Sequence, residues 1–276
     1  MKPYPGYPPI GMFDSGIGGL SVLRAVRREL PNQPVFYLGD QIHVPYGPRS
    51  LEEVRAFSAE ITRFLISLGA GVIVVACNTA SAAALHWLRQ EFPTLPFVGM
   101  EPAVKPAAEQ THTGKVGVLA TPATFQGALY ASVVERFASG VEIHQNTCPG
   151  LVQQIEAGNL DGAETRRILE AALEPMLAAG IDTVVLGCTH YPFVIPLIQS
   201  ITGPEVRVID PAPAVARQTG RVLAGLPGFR PGNAPGPLRA FTSGDSSAFA
   251  SQLANLLGEV PPAEGLTWLD GRLHTA

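Results

Sequence analysis

Short apolar runs alternate along the chain with longer stretches whose apolar positions recur every three or four residues. This is the pattern of buried strands interleaved with amphipathic helices. Ile10 to Phe13, Val35 to Leu38, the β-branched run Gly71 to Ala76 and Pro96 to Gly99 predict the first four strands. Helices are predicted between them, opening at Leu20 and ending near Leu30, opening after Ser50, and running from about Thr79 to Phe92. The second of these carries the apolar stripe Leu51, Val54, Phe57, Ile61, Phe64, Leu65 and Leu68, and Ser50 with Glu53 three residues on reads as a capping box. The alternation then continues. A helix to Gln110, the strand Lys115 to Leu119, a turn Ala120 to Thr124 and the strand Val141 to Thr147 precede a short helix, Leu151 to Ala157. A longer helix follows, capped by Asp161 with Glu164, running to about Ala178 and interrupted at Pro175. Next come the strand Asp182 to Gly187, a helix after Pro192, the strand Glu205 to Ile209 and a helix from Pro213 to Leu223. Beyond a Pro/Gly-rich loop at 226–237, a last strand, Arg239 to Thr242, and a helix, Ser246 to Leu257, return to the first half.

Such a succession implies parallel sheets covered by helices on both faces, with ligands taken up beyond the carboxyl ends of the strands. It also repeats itself. The run ending in Ala76-Cys77-Asn78-Thr79 has a second copy ending in Gly187-Cys188-Thr189-His190, at an offset of 188 − 77 = 111. Ile10 to Phe13 reappears as Val116 to Leu119 (116 − 10 = 106), and Gly99 to Pro102 as Val208 to Pro211 (211 − 102 = 109). The expected fold is therefore α/β, two similar doubly wound parallel-sheet lobes related by pseudo-twofold symmetry, with the active site between them. Lobe A takes residues 1–100 plus 211–276 and carries Asp14, Tyr46 and Cys77. Lobe B takes residues 101–210 and carries Thr121, Glu156, Cys188 and His190.

Composition narrows the partners. With 276 residues, 46% of them hydrophobic and 15% charged, the chain has ample material for a packed core. A net charge of −4, without a local lysine or arginine cluster, offers no field for nucleic acid. The proline-rich lead Met1 to Pro9 has no apolar core of a signal peptide, and the longest apolar run is far short of the ~20 residues of a membrane span. A soluble cytoplasmic protein is expected. Three cysteines without regular spacing argue for free thiols, and no Cys-x-x-Cys pair suggests a structural metal.

Candidate chemistry collects at the predicted strand ends. The glycine-rich turn Asp14 to Leu20 can seat an anion on its backbone N–H groups, or simply start a helix with Asp14 or Ser15 as its cap. Tyr46, in the loop His43-Val44-Pro45-Tyr46-Gly47-Pro48, can reach a ligand or pack on the surface of a proline-fixed turn. Cys148 reads as a small buried hydrophobe or a third reactive thiol. A single cysteine doing hydrolysis would leave its mirrored copy without a task, and thiol redox exchange generally uses one Cys-x-x-Cys motif. Two thiols on opposite sides of one carbon suit removal of a proton from one face and its return on the other, which is racemisation.

Four motifs, Phe13-Asp14-Ser15-Gly16-Ile17-Gly18-Gly19-Leu20, Pro45-Tyr46-Gly47-Pro48-Arg49-Ser50, Ala76-Cys77-Asn78-Thr79-Ala80 and Gly187-Cys188-Thr189-His190-Tyr191-Pro192, resemble in order and spacing those of the bacterial glutamate racemases, within the aspartate/glutamate racemase superfamily. The resemblance spans roughly residues 10 to 257. It implies that Cys77 exchanges the α-proton of D-glutamate and Cys188 that of L-glutamate, with Asp14 assisting the first and His190, oriented by Glu156, the second. It further implies that Ser15, Pro45, Tyr46, Gly47, Asn78, Thr79, Thr121, Thr124, Thr189 and His190 hold substrate. A serine often found three positions after the second threonine is Gly127 here. No pyridoxal phosphate, metal or nucleotide cofactor is implied. A homodimer supplying D-glutamate for peptidoglycan synthesis is. Two other readings stand beside this one. The first is a relative acting on another α-acidic carboxylate such as aspartate or a hydantoin. The second is an anion-binding regulatory module built on the Gly16 to Gly19 turn.

Overall fold

The computed structural model describes residues 8–258 and 261–275, so the lead up to Tyr7 lies outside the described residues. Its contacts divide the chain into two compact units, Met1–Met100 with Ala212–Ala276, and Glu101–Pro211. Each has its own apolar core.

The first unit opens with β1 (Ile10–Asp14), α1 (Leu20–Glu29), β2 (Val35–Gly39), α2 (Leu51–Ser67), β3 (Val72–Val75), α3 (Asn78–Glu91) and β4 (Phe97–Gly99). The second contains α4 (Val104–Gln110), β5 (Lys115–Ala120), α5 (Pro122–Gln126), α6 (Ala128–Phe137), β6 (Glu142–Asn146), α7 (Leu151–Glu156), α8 (Ala163–Ala179), β7 (Thr183–Gly187), α9 (Ile195–Thr202) and β8 (Arg207–Ile209). The chain then returns to the first unit with α10 (Ala212–Ala224), β9 (Leu238–Thr242), α11 (Ser246–Leu257), β10 (Ala263–Leu269) and β11 (Arg272–Thr275). The strands of β1, β2, β3 and β7 are buried at every position, which is why they read as unbroken apolar runs rather than alternating ones.

The repeat is built into both sheets. The first unit's seven strands run in the order β11-β10-β9-β2-β1-β3-β4, and the second unit's four in the order β6-β5-β7-β8. Numbered within its own unit, the first four strands of each therefore have the order second-first-third-fourth. Among the described residues only the β10–β11 pair is antiparallel. Register agrees as well: Ile10 pairs with Val72 and Val116 with Thr183, so Cys77 and Cys188 each stand five residues past the strand residue that meets the first apolar position of the unit. At the fourth strand the register refines the sequence match. Ile73 pairs with Phe97 and Val184 with Val208, so Phe97 rather than Gly99 is the counterpart of Val208.

Several expectations are corrected. Gly19, not Asp14 or Ser15, is the N-cap of α1. Residues 120–124 are not a bare turn, since Thr121 caps the short α5, and α6 follows where no helix was expected. The helix α8 runs through Pro175 without interruption; its face Ile168, Leu169, Ala172, Leu173 and Met176 is buried on both sides of the proline, and that burial outweighs one missing hydrogen bond. Its cap is Gly162 without a side-chain bond; Asn159 takes the Gly162 N–H at 3.1 Å, and Glu164 is engaged by Arg167 instead. The hairpin β10–β11 was not anticipated at all. It turns at Asp270-Gly271, both with positive φ, as a two-residue hairpin loop requires.

The capping box before α2 is present in full. Ser50 Oγ accepts the Glu53 N–H at 3.2 Å, while Glu53 Oε2 accepts the Ser50 N–H at 3.0 Å. Behind it the stripe is buried or half-buried except for Leu51, which is 43% exposed. Ser50→Ala should lower the unfolding free energy by about 1 kcal/mol in urea titrations.

Candidate active site

In the first unit, β1 and β3 are neighbours, and the Ala76 N–H donates to Phe13 O at 2.8 Å, so Asp14 and Cys77 leave the sheet side by side. Cys77 is the N-cap of α3. Its Sγ accepts the Ala80 N–H at 3.4 Å and is almost fully buried. A strand-to-helix junction of this kind points backbone donors and the positive end of a 14-residue helix at the sulfur. Asp14 is wholly buried and its Oδ1 accepts the Gly16 N–H at 2.9 Å, with Ser15 Oγ at 3.5 Å. Asn78 and Thr79 begin α3 and are buried. Neither polar atom of the Asn78 side chain has a hydrogen-bond partner among the described residues. A buried amide left unpaired is costly.

Tyr46 does not lie on the surface. It is 1% exposed, and its hydroxyl donates to Asp40 Oδ2 at 2.6 Å. Burial, followed by the charge and hydrogen bond of Asp40 and the nearby Cys77 and Asp14, pushes the phenol well above its ordinary pKa. Asp40, at the end of β2, also accepts from His43 Nδ1 at 2.8 Å, from Ser243 Oγ at 2.7 Å and from Trp268 Nε1 of β10 at 2.8 Å. One buried carboxylate thus ties the loop that bears Pro45, Tyr46 and Gly47 to the end of β9 and to the C-terminal hairpin. Phe57 closes the far side, stacked on His43 at 3.9 Å between centroids. Pro45 follows a cis peptide bond, and Pro45 and Gly47 are half-buried. Sequence reasoning missed Asp40, Ser243 and Trp268. The visible signal was a carboxylate at the end of a buried strand, the same placement that drew attention to Asp14.

In the second unit, Cys188 follows β7 and is also almost fully buried. No α-helix starts directly after it; a 3-10 turn, Tyr191–Val194, comes first. Its electrostatic partner is a side chain. His190 Nδ1 lies 3.7 Å from Cys188 Sγ, and His190 Nε2 is 2.6 Å from Glu156 Oε1, contributed by α7. Burial alone would pull the imidazole pKa down, but the hydrogen bonds it donates to Cys188 and Glu156 and their charges more than offset it, holding the ring well above its usual value. Thr189 is buried beside it. Thr121 and Thr124 bond each other through their hydroxyls at 2.9 Å, with Thr124 buried and Thr121 half-exposed. Cys148 is buried too, and its thiol is pushed up to about 12 by that burial and then by the neighbouring Cys188.

Each unit therefore gathers its own share of the expected residues: Asp14, Ser15, Pro45, Tyr46, Gly47, Cys77, Asn78 and Thr79 in one, Thr121, Thr124, Glu156, Cys188, Thr189 and His190 in the other. Among the described residues the three cysteines are free, no group of three or more His, Cys, Asp or Glu is arranged to hold a metal ion, and no helix is long and apolar enough to cross a membrane.

Comparison with known proteins connects this geometry to a family. The pattern of the Asp/Glu/Hydantoin racemase family matches residues 19–219. A glutamate racemase of Roseiflexus sp. (strain RS-1) is 51% identical over 249 residues, 90% of this chain and 92% of that protein. The crystal structure of a glutamate racemase from Bacillus anthracis matches with a TM-score of 0.84 at 34% identity, covering 94% of this chain and 97% of the other. That of the Francisella tularensis glutamate racemase in complex with D-glutamate matches with a TM-score of 0.82 at 29% identity, covering 95% and 98%. Sharing half its residues with such a relative over nine-tenths of its length, and both cysteine-bearing strands with the family pattern, the chain belongs to the Asp/Glu/hydantoin racemase family.

Proposed function

We propose that the chain is a glutamate racemase that interconverts L- and D-glutamate by exchanging the α-proton between two thiols. The observation that carries this reading is the pair of buried cysteines at equivalent positions of two sheets with the same strand order, each provided with its own means of holding charge. In the direction D to L, Cys77 as thiolate takes the α-proton, and Cys188 as thiol gives its proton to the opposite face of the carbon. The reverse direction exchanges the roles. Atoms and charge balance without a co-reactant: one S–H forms as the other is lost, and the enzyme ends with the thiolate on the other sulfur.

The surroundings suit these roles. Asp14 stands beside Cys77, and His190, held by Glu156, stands beside Cys188. The unpaired amide of Asn78, with Ser15, Thr79, Gly47 and Pro45 of the first unit and Thr121, Thr124, Thr189 and His190 of the second, are the proposed holders of the substrate's carboxylates and ammonium. Because its own proton is directed at Asp40, Tyr46 would offer substrate an acceptor rather than a donor. We further propose that the enzyme acts as a homodimer in the cytoplasm, where its D-glutamate feeds peptidoglycan synthesis; free thiols and the family resemblance support this.

Glutamate should be racemised with a kcat/KM higher than that of aspartate, one methylene shorter, by roughly 10–200-fold. Chiral chromatography decides it, and a higher kcat/KM with aspartate would favour the reading as an aspartate enzyme instead. Cys77→Ser and Cys188→Ser should each nearly abolish racemisation in both directions, whereas Cys148→Ser, which alters a thiol that stays protonated, should keep most activity. In D2O, deuterium should appear on the α-carbon of the newly formed enantiomer while unreacted substrate initially keeps its hydrogen. Early label in both enantiomers together would point to a single base.

The raised pKa of His190 gives a pH prediction with a definite sign. A ring whose pKa is raised on folding contributes its full stability below the unfolded value of about 6.5 and loses it as pH rises through the folded value. Glu156→Gln removes one of the raising partners. NMR titration of His190 should therefore show its midpoint moved to lower pH, with the alkaline loss of stability starting earlier.

A further inference from the structure

Tyr37 lies within β2 and reads from the sequence as a core aromatic. Its ring is fully buried and stacked on Phe249 of α11, with centroids 6.2 Å apart and planes at 18°. Its hydroxyl, however, donates to Gly16 O at 2.9 Å. Gly16 is the residue whose N–H donates to Asp14 Oδ1 at 2.9 Å. Both backbone polar groups of Gly16 are therefore engaged, one by the carboxylate and one by the phenol. The surrounding space is closed. A Cβ on Gly19 would fall 2.7 Å from both Asp14 Cβ and the Tyr37 hydroxyl and 3.1 Å from Ala76 O, the carbonyl that leads to Cys77. A Cβ on Gly39 would fall 2.9 Å from Gly16 O and 3.3 Å from the Phe249 ring. The absence of side chains at Gly19 and Gly39 is what lets the hydroxyl, the turn and the carboxylate approach this closely.

We infer that Tyr37 is a positioning residue for the proton transfer at Cys77: by holding the Gly16 carbonyl it fixes the turn whose N–H orients the carboxylate of Asp14. The inference rests on the racemase reading above and on the geometry of the first unit. A hydroxyl-to-carbonyl bond is not needed to pack a tyrosine ring, and phenylalanine would fill the same space. What the hydroxyl adds is a single orientation for a turn made of Asp14, Ser15, Ile17 and three permissive glycines, Gly16, Gly18 and Gly19.

Tyr37→Phe tests this. It keeps the ring and removes the hydroxyl that bonds Gly16 O. With glutamate as substrate, kcat/KM should fall about five- to tenfold, the loss expected from one buried hydrogen bond acting on the transition state. Because the equilibrium constant of racemisation is one, kcat/KM must fall equally in both directions, so direction is read from isotope effects. The primary deuterium effect on kcat/KM should rise for the enantiomer that surrenders its hydrogen to Cys77, D-glutamate on the assignment above, and fall for the other. A merely structural loss would move neither effect. In an Asp14→Asn background the same substitution should change kcat/KM by less than about twofold, since residues acting through one another are not additive. Unchanged kcat/KM in Tyr37→Phe, a fall with both isotope effects as in the wild type, or full additivity with Asp14→Asn would each overturn the inference. Should Tyr37→Phe unfold during the assay, Gly39→Ala, whose Cβ would fall 2.9 Å from Gly16 O, displaces that carbonyl from the Tyr37 hydroxyl without touching the ring, and should reproduce the isotope pattern; its absence there would also overturn the inference. A wild-type enzyme that fails to racemise glutamate would instead sink the functional reading itself.

Discussion

A buried sulfur that takes up negative charge must be met by a donor or a positive charge, and two buried cysteines end equivalent strands in this chain. The two units satisfy that requirement by different means. Cys77 is set at the start of α3, where the Ala80 N–H and the helix terminus stand ready for negative charge. Cys188 opens onto a 3-10 turn with no such helix, and an imidazole two residues away, held by Glu156 and kept protonated to unusually high pH, takes the place of the dipole. Similar sequence around the two cysteines thus conceals different electrostatics. The difference follows from one local feature: Asn78-Thr79-Ala80-Ser81-Ala82-Ala83-Ala84 propagates a helix at once, while Thr189-His190-Tyr191-Pro192 does not.

Strand order makes both arrangements possible. In each sheet the cysteine strand pairs with the unit's first strand, so a carboxyl-edge residue of β1 or β5 is always the thiol's neighbour. In the first unit that neighbour is Asp14, and its orientation is delegated to a turn closed by glycine contacts and by Tyr37. In the second the equivalent position is Ala120, opposite Gly187, where no group can assist a proton transfer. The polar side chain beside that sulfur comes from after the cysteine instead, as His190.

Much of this was legible in the sequence because the strands are buried on both faces and so stand out as apolar runs, and because the capping box Ser50-x-x-Glu53 is a local signal that tertiary packing did not override. The cysteine repeat was legible for the same reason. What escaped was carried by contacts between distant positions. Tyr46 reads as a turn residue because nothing nearby explains its burial; its partner Asp40 does, and Asp40 is itself satisfied by Ser243 and Trp268, some two hundred residues on. The hairpin that supplies Trp268 buries only Leu266 and Leu273 deeply, too few apolar positions to announce two strands. Pro175 misled in the opposite direction, since a local rule about proline lost to the packing of the helix around it.

The register exposes one further asymmetry. Asp40 stands five residues past Val35, the partner of Ile10, and Cys148 stands five residues past Ile143, the partner of Val116. The two are thus counterparts, although one is a carboxylate with four donors around it and the other a thiol pushed up to about 12. Where donors converge, a buried carboxylate organises a loop; where burial comes without them, a cysteine at the same position behaves as a small apolar residue. That is why three buried cysteines in one chain do not make three equivalent nucleophiles. Cys148 has no imidazole such as His190 beside it, and burial first and the neighbouring Cys188 second push its thiol up.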